Sequence, residues 1–153
     1  MKTTLIALLS LALIACQKTY LPEVTLLEVG NNNSKTATIG GDLHLEAEMI
    51  ADSKIANIRL VIHPEDEEEQ GGGGPSSSNP YPGWELDTTF TGIYVNVRNT
   101  IFHEDISIPA TIAPGHYHVD LIVTDQKGYQ GRAEVELELV NATADMPYQI
   151  IQF

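Results

Sequence analysis

The residues of this sequence best suited to chemistry are its five histidines, of which His116 and His118 are separated by a single tyrosine. Residues i and i+2 of a β-strand project from one face roughly 6.5–7 Å apart, a span that two imidazoles can close on one ion. His63 ends an earlier apolar segment, and Glu65 and Asp66 follow it at the start of an acidic run. Imidazole and carboxylate ligands together suit Zn²⁺, Cu²⁺ or Ni²⁺. This pattern indicates a transition-metal site, with Zn or Cu as the expected cofactor.

The segment that must position these ligands runs from Pro114 to Gly128. Every second residue of this segment is expected to face inward, and these residues are Tyr117, Val119, Leu121 and Val123. This period of two predicts a central strand with a core stripe on one face and the histidines on the other. In a generic sandwich the strand that ends at His63 runs antiparallel beside this one, so we expect His63 near His116 and His118. His44, on the other sheet, is expected toward the same end, and His103 toward the opposite end unless its strand begins before the alternating segment.

Further segments alternate in the same way and predict the remaining strands. They are residues 22–30, 43–49, 58–63, 84–90, 102–108 and 131–140. After residue 90, strand-like sequence continues through Tyr94, Val95 and Val97. Residues 31–36 are polar and are expected to form a loop. Trp84 is expected to be a large anchor of the core, and Asp125 is expected to lie in a turn, where its carboxylate caps local amides. About seven short strands, with no helical period after Cys16, predict an all-β, antiparallel immunoglobulin-like β-sandwich, a barrel being the alternative.

Composition limits the function classes. The chain of 153 residues has a net charge of −13 and a pI near 4.5, which makes nucleic acid a poor partner. Its sequence contains no serine nucleophile elbow, phosphate loop or HExxH motif, and its single cysteine is taken by the N-terminal signal described next. We therefore expect a binding module and no enzyme.

The N-terminus resembles a bacterial lipoprotein signal. Lys2 precedes an apolar run of about a dozen residues that ends in Leu13, Ile14, Ala15 and Cys16, a lipobox. This predicts a signal peptide at residues 1–15, a lipidated tether at 16–21 with the lipid on Cys16, and one sandwich domain at 22–153 with a flexible acidic and glycine-rich loop at 65–83. Gln17 after the cysteine favours the outer membrane, with the domain facing either the periplasm or the cell surface.

Several of these motifs together resemble a family of uncharacterised Gram-negative, Bacteroidetes-type lipoproteins with an immunoglobulin-like domain, catalogued only as a domain of unknown function. The resemblance is carried by the lipobox, Ile62 to Pro64, Trp84, Phe102 to Ala110 and Ala113 to Gly128. Members often carry histidine-rich segments after the third strand, which implies metal binding. The positions that the resemblance carries over are His63, His103 and His118, so His103 joins the candidate ligands; the segment after the third strand is here rich in carboxylate and glycine.

Two functions are consistent with these features. The first is an outer-membrane lipoprotein that binds a divalent transition metal through His63, His116, His118 and His103 with help from Glu65 and Asp66. The alternative is a structural or adhesive module that binds an envelope protein or glycan through its sheet surface or edge strands. In both cases the membrane is a partner through the lipid on Cys16.

Overall fold

The computed structural model describes residues 20–65 and 80–142. Within them lie eight strands: β1 Glu23–Val29, β2 Thr36–Thr38, β3 Asp42–Ile50, β4 Ile55–Pro64, β5 Leu86–Phe90, β6 Asn99–Ser107, β7 Gly115–Asp125 and β8 Gln130–Val140. They form a three-stranded sheet in the order β1-β3-β6 and a five-stranded sheet in the order β2-β8-β7-β4-β5. This is the strand order of an immunoglobulin-like sandwich, so the predicted all-β fold is confirmed.

The predicted polar loop after β1 leads directly into a strand, β2, that the sequence pattern did not reveal. Gly30 and Asn32 have positive φ angles of 68° and 56°, and a 3₁₀ turn at Asn31–Asn33 carries the chain from one sheet to the other. The short strand β2 then pairs in parallel with β8, whereas every other strand pair is antiparallel. Three residues are too few for alternation to show in a sequence.

The core lies between the sheets and follows the predicted alternation. Tyr117 is 2% exposed and Trp84 is 4% exposed, so both aromatic anchors are buried. The hydroxyl of Tyr117 donates a hydrogen bond to the carbonyl of Ala113 at 2.6 Å and accepts one from the Trp84 backbone amide at 3.3 Å. A tyrosine near the start of this strand that bonds backbone a few residues upstream is the tyrosine corner of immunoglobulin-like domains.

The connection between β5 and β6 differs from the prediction. Strand structure through Tyr94, Val95 and Val97 was expected, but Gly92–Tyr94 form a 3₁₀ turn and residues 95–97 belong to no strand. Positive φ angles at Gly92 (61°) and Asn96 (64°) interrupt the extended backbone. The strand prediction was therefore wrong here, because apolar residues pack against the core without being in a ladder.

Asp125 performs the structural task that its position predicts. Its Oδ1 accepts hydrogen bonds from the backbone amides of Lys127 and Tyr129 at 2.8 and 2.9 Å, which fixes the β7–β8 turn. The predicted signal peptide, most of the tether, the acidic run from Asp66 onward and the C-terminal tail fall in residues 1–19, 66–79 and 143–153, outside the described residues.

Candidate metal centre

Three adjacent strands of the five-stranded sheet bring candidate ligands together on its outer face. β7 lies between β4 and β8, and their register places His63 opposite His118 and His118 opposite Glu136. The proximity of His63 to His118 that the sequence predicted is therefore present. One step further toward the end of the strands, the Glu65 amide donates to the His116 carbonyl at 3.0 Å, so Glu65 lies beside His116. We call His63, Glu65, His116, His118 and Glu136 the histidine patch.

The two histidines of the first row lie side by side, each with Nδ1 close to an acceptor oxygen. The rings of His63 and His118 have centroids 5.3 Å apart and are tilted by 31°. Nδ1 of His63 lies 3.0 Å from the Pro64 carbonyl oxygen, and Nδ1 of His118 lies 2.9 Å from Oε1 of Glu134. Both oxygens can only accept, so each Nδ1 carries the hydrogen and each neutral ring keeps its lone pair on Nε2. An imidazole held in this way is the usual form of a metal-ligating histidine.

The second row of the patch contains Glu65 and His116, and Glu136 reaches this row diagonally from its position opposite His118. Ligand atoms of Glu65, His116 and Glu136 all lie within 4.8 Å of one another, and all three side chains are exposed. Nδ1 of His116 is 2.5 Å from Oε1 of Glu136. Cross-strand neighbours of this kind can converge on a cation with only small side-chain rotations.

Asp120 lies on the same face of β7, but its carboxylate is already paired with Arg132. It is 5% exposed, and its Oδ1 accepts a hydrogen bond from Nε of Arg132 at 2.7 Å. That hydrogen bond raises the pKa of the Arg132 guanidinium. His63 Nε2 is 3.9 Å from Asp120 Oδ2, too far for a hydrogen bond. Asp120 therefore acts as a buried partner of Arg132 at the border of the patch.

The remaining sequence candidates lie elsewhere. His103 does not join the patch: β6 pairs with β3 in the three-stranded sheet, so its outward residues face the opposite side of the sandwich. β6 begins at Asn99, earlier than expected, which places His103 beside His44 and not toward the other end. His103 therefore lies apart from the histidine patch. Asp66 lies outside the described residues.

Sequence reasoning missed Glu134 and Glu136 as partners of the histidines. Both are the polar residues of the alternating segment 131–140 and face outward on β8, but alternation alone does not give the offset between β7 and β8. The tight turn at residues 125–128 was a usable signal, because turn length sets the register of a hairpin.

Strand order and the tyrosine corner place the protein among immunoglobulin-like β-sandwich proteins. The chain belongs to the family described as a domain of unknown function, DUF4625, whose model matches residues 15–140. Among curated proteins, no sequence matches this one significantly. Within the described residues, no helix has the length and apolar character needed to cross a membrane.

Two solved structures are similar to the chain. One is Spo0M, a sporulation control protein from Bacillus subtilis, with 12% identity and a TM-score of 0.48 over 79% of this chain and 50% of that one. The other is the soluble domain of PmoD from Methylocystis sp. ATCC 49242 (Rockwell), with 12% identity and a TM-score of 0.41 over 80% of this chain and 94% of that one. The chain thus spans half the length of Spo0M, and its fold is defined by the strand order described above.

Proposed function

We propose that this protein is a lipid-anchored protein of the outer membrane whose sandwich domain binds a divalent transition metal, without catalysis, at the histidine patch. The observation that carries the proposal is the pairing of His63 and His118 on adjacent strands, each with Nδ1 engaged as a donor and Nε2 left as the ligand atom. Glu65, His116 and Glu136 supply further nitrogen and oxygen ligands next to them.

The donor set favours a particular class of ion. Imidazole nitrogen prefers Zn²⁺, Cu²⁺ or Ni²⁺, whereas Ca²⁺ and Mg²⁺ prefer sites built from oxygen alone. The patch lies on an exposed sheet face that the described residues do not enclose. An open site of this kind suits reversible binding or transfer of an ion to a partner better than a structural metal, which is normally enclosed by four protein ligands.

The test is calorimetric titration of the purified, chelator-stripped protein in detergent with Zn²⁺, Cu²⁺, Ni²⁺ and Ca²⁺. We expect saturable binding of a transition metal tighter than about 1 μM, equivalent to roughly 8 kcal/mol. The double substitution His63→Ala/His118→Ala removes this binding step. Thr124→Ala, further along the outward face of β7, is the matched control and leaves it intact.

The opposite result would favour the alternative function. If the double variant binds the same number of ions as the parent protein with the same affinity, the patch is not the ligand set and the metal proposal fails at this place. If no transition metal binds saturably at all, the sandwich acts as a structural or adhesive module, and co-purification of an envelope protein or glycan partner becomes the informative measurement.

A further inference from the structure

A second group of ligand-type side chains lies on the outer face of the three-stranded sheet, on the other side of the sandwich. Glu28 comes from β1, His44 and Glu46 from β3, and His103 and Asp105 from β6. We call these five residues the β3 cluster, since β3 is the central strand. Glu28, His44 and Glu46 are each half-buried, and ligand atoms of the three all lie within 4.8 Å of one another.

A β-bulge in β1 brings Glu28 into this cluster. The pairing of β1 with β3 shifts between Leu26, opposite Ala47, and Glu28, opposite Glu46, so that Leu27 is the extra residue. Strict alternation from Leu26 would have turned Glu28 toward the core. Bulges are known to re-aim side chains in this way. The result is two half-buried carboxylates, Glu28 and Glu46, directly opposite each other on neighbouring strands.

Within residues 20–65 and 80–142, neither carboxylate forms an ion pair with a lysine or an arginine. Like charges directly opposite each other destabilise a sheet. β1, β3 and β6 contain no lysine or arginine, whereas the outer face of the five-stranded sheet has Arg59 and Arg132. A bound cation would relieve the repulsion between Glu28 and Glu46, and the imidazoles indicate which type of cation.

His44 is held in a ligating orientation at the centre of the cluster. Its Nδ1 lies 2.8 Å from Oδ1 of Asp105, and its side chain is only 19% exposed. The carboxylate accepts the Nδ1 hydrogen, which leaves the lone pair on Nε2. The His103 ring meets the His44 ring edge-on with centroids 4.9 Å apart. Glu28 is also positioned, because its Oε1 accepts a hydrogen bond from the Asn32 amide at 2.7 Å.

From this geometry we infer that the β3 cluster is a second divalent transition-metal site, with Glu28, His44 and Glu46 as ligands. His103 is the available fourth ligand, and Asp105 is a positioning residue that orients His44. Two carboxylates with one or two imidazoles suit Zn²⁺, and also Mn²⁺, Co²⁺ or Ni²⁺. This inference does not depend on the histidine patch, which lies on the other sheet and shares no residue with it.

The experiment isolates the second site by removing the first. The chelator-stripped His63→Ala/His118→Ala variant, in detergent, is titrated with Zn²⁺ by calorimetry, and one saturable step is expected. Adding Glu46→Gln weakens that step by at least about tenfold, and Asp105→Asn weakens it by about 10–100-fold, as for other residues that orient a metal ligand. Glu48→Gln, the next outward carboxylate on β3, removes the same charge outside the cluster and leaves the step unchanged.

Two controls make failure informative. In the metal-free protein, Glu46→Gln removes the repulsion with Glu28, so its Tm rises while the Tm gain on adding Zn²⁺ falls; a misfolded variant would instead have a lower Tm. Binding of Co²⁺ should give a visible absorption band that His44→Ala abolishes. The inference is overturned if the background variant shows no saturable step, or if Glu46→Gln and Glu48→Gln weaken binding equally. If the parent protein shows only the binding step that the His63→Ala/His118→Ala variant also shows, the proposed function is overturned and this inference stands.

Discussion

At the scale of single residues, the Tyr117 hydroxyl stabilises the fold most directly. It joins β7 to the chain on both sides, through the Ala113 carbonyl and the Trp84 amide, in a buried position. Tyr117→Phe would remove both hydrogen bonds, leaving the buried Trp84 amide and the partly buried Ala113 carbonyl without this partner. We expect a loss of about 1–3 kcal/mol in the free energy of unfolding, measured by urea denaturation.

The matched control for this substitution is Tyr129→Phe. Tyr129 is 39% exposed, so removing its hydroxyl should change the free energy of unfolding by less than about 0.5 kcal/mol. Equal stability losses in the two variants would show that the tyrosine corner contributes nothing specific. Because Tyr117 lies between His116 and His118, its substitution should also perturb the start of β7. We therefore expect Tyr117→Phe to lower the metal affinity of the histidine patch.

At the scale of elements, the long strands were predictable from the sequence because each has one buried face. β7 and β8 are eleven residues long, and their apolar residues recur at every second position, so the orientation of each side chain follows from the period alone. The proximity of His63 and His118 could be predicted for the same reason, once the order of strands in an immunoglobulin-like sandwich is assumed.

The β3 cluster could not be predicted, and the cause is physical. Glu28 faces outward only because Leu27 is bulged, and a bulge breaks the period on which the interpretation depends. The placement of His103 failed differently. Its strand was recognised, but the strand begins at Asn99, before the alternating segment, and His103 therefore lies opposite Glu46 and beside His44. Sequence pattern thus determines the faces of strands more reliably than their ends.

The 3₁₀ turn before β6 supports a prediction about pH. The Tyr94 hydroxyl donates to Oε1 of Glu104 at 2.7 Å and also lies 3.0 Å from the His103 carbonyl. Burial, followed by the hydrogen bond to Glu104, raises the pKa of Tyr94 above its ordinary value of 10.0. Since the folded-state pKa is raised, the stabilisation is complete below about pH 10 and is lost as pH rises through the folded-state pKa.

Tyr94→Phe tests this contribution. The variant should lose about 1 kcal/mol of unfolding free energy at neutral pH. Above pH 10, its free energy of unfolding should also decrease less steeply with pH than that of the parent protein. Urea denaturation at pH 7, 9 and 11 measures both effects, with Tyr129→Phe again as the control. An alkaline decline of the same size in parent and variant would contradict the assignment to Tyr94.

At the scale of the whole molecule, both ligand clusters lie at the same end of the sandwich. β1 begins opposite Ile50, at the end of β3, and its last residues lie opposite the start of β3, where His44 and Glu46 are found. In the other sheet, Ile55 pairs with Asp125 at one end and His63 with His118 near the other. The histidine patch and the β3 cluster are therefore both remote from the point where the chain enters the domain.

This arrangement gives the proposed lipid anchor a consequence for orientation. Only six residues separate Cys16 from Glu23, so a lipid on Cys16 would keep the start of β1 within roughly 25 Å of the membrane surface. Both metal sites would then face away from the membrane, accessible to an ion or to a partner protein.

The orientation can be measured with a fluorophore on a single introduced cysteine, because lipid occupies Cys16. Asp52→Cys labels the exposed β3–β4 turn near the anchor, and Ala110→Cys labels the far end, just after β6. In vesicles containing an acceptor lipid, energy transfer should be clearly stronger from position 52 than from position 110. Unlipidated protein, made as Cys16→Ser with the same labels, should lose transfer at both positions. Equal transfer from the two labels would mean that the tether does not orient the domain. Vesicle binding that survives Cys16→Ser would show that the anchor lies elsewhere in the chain.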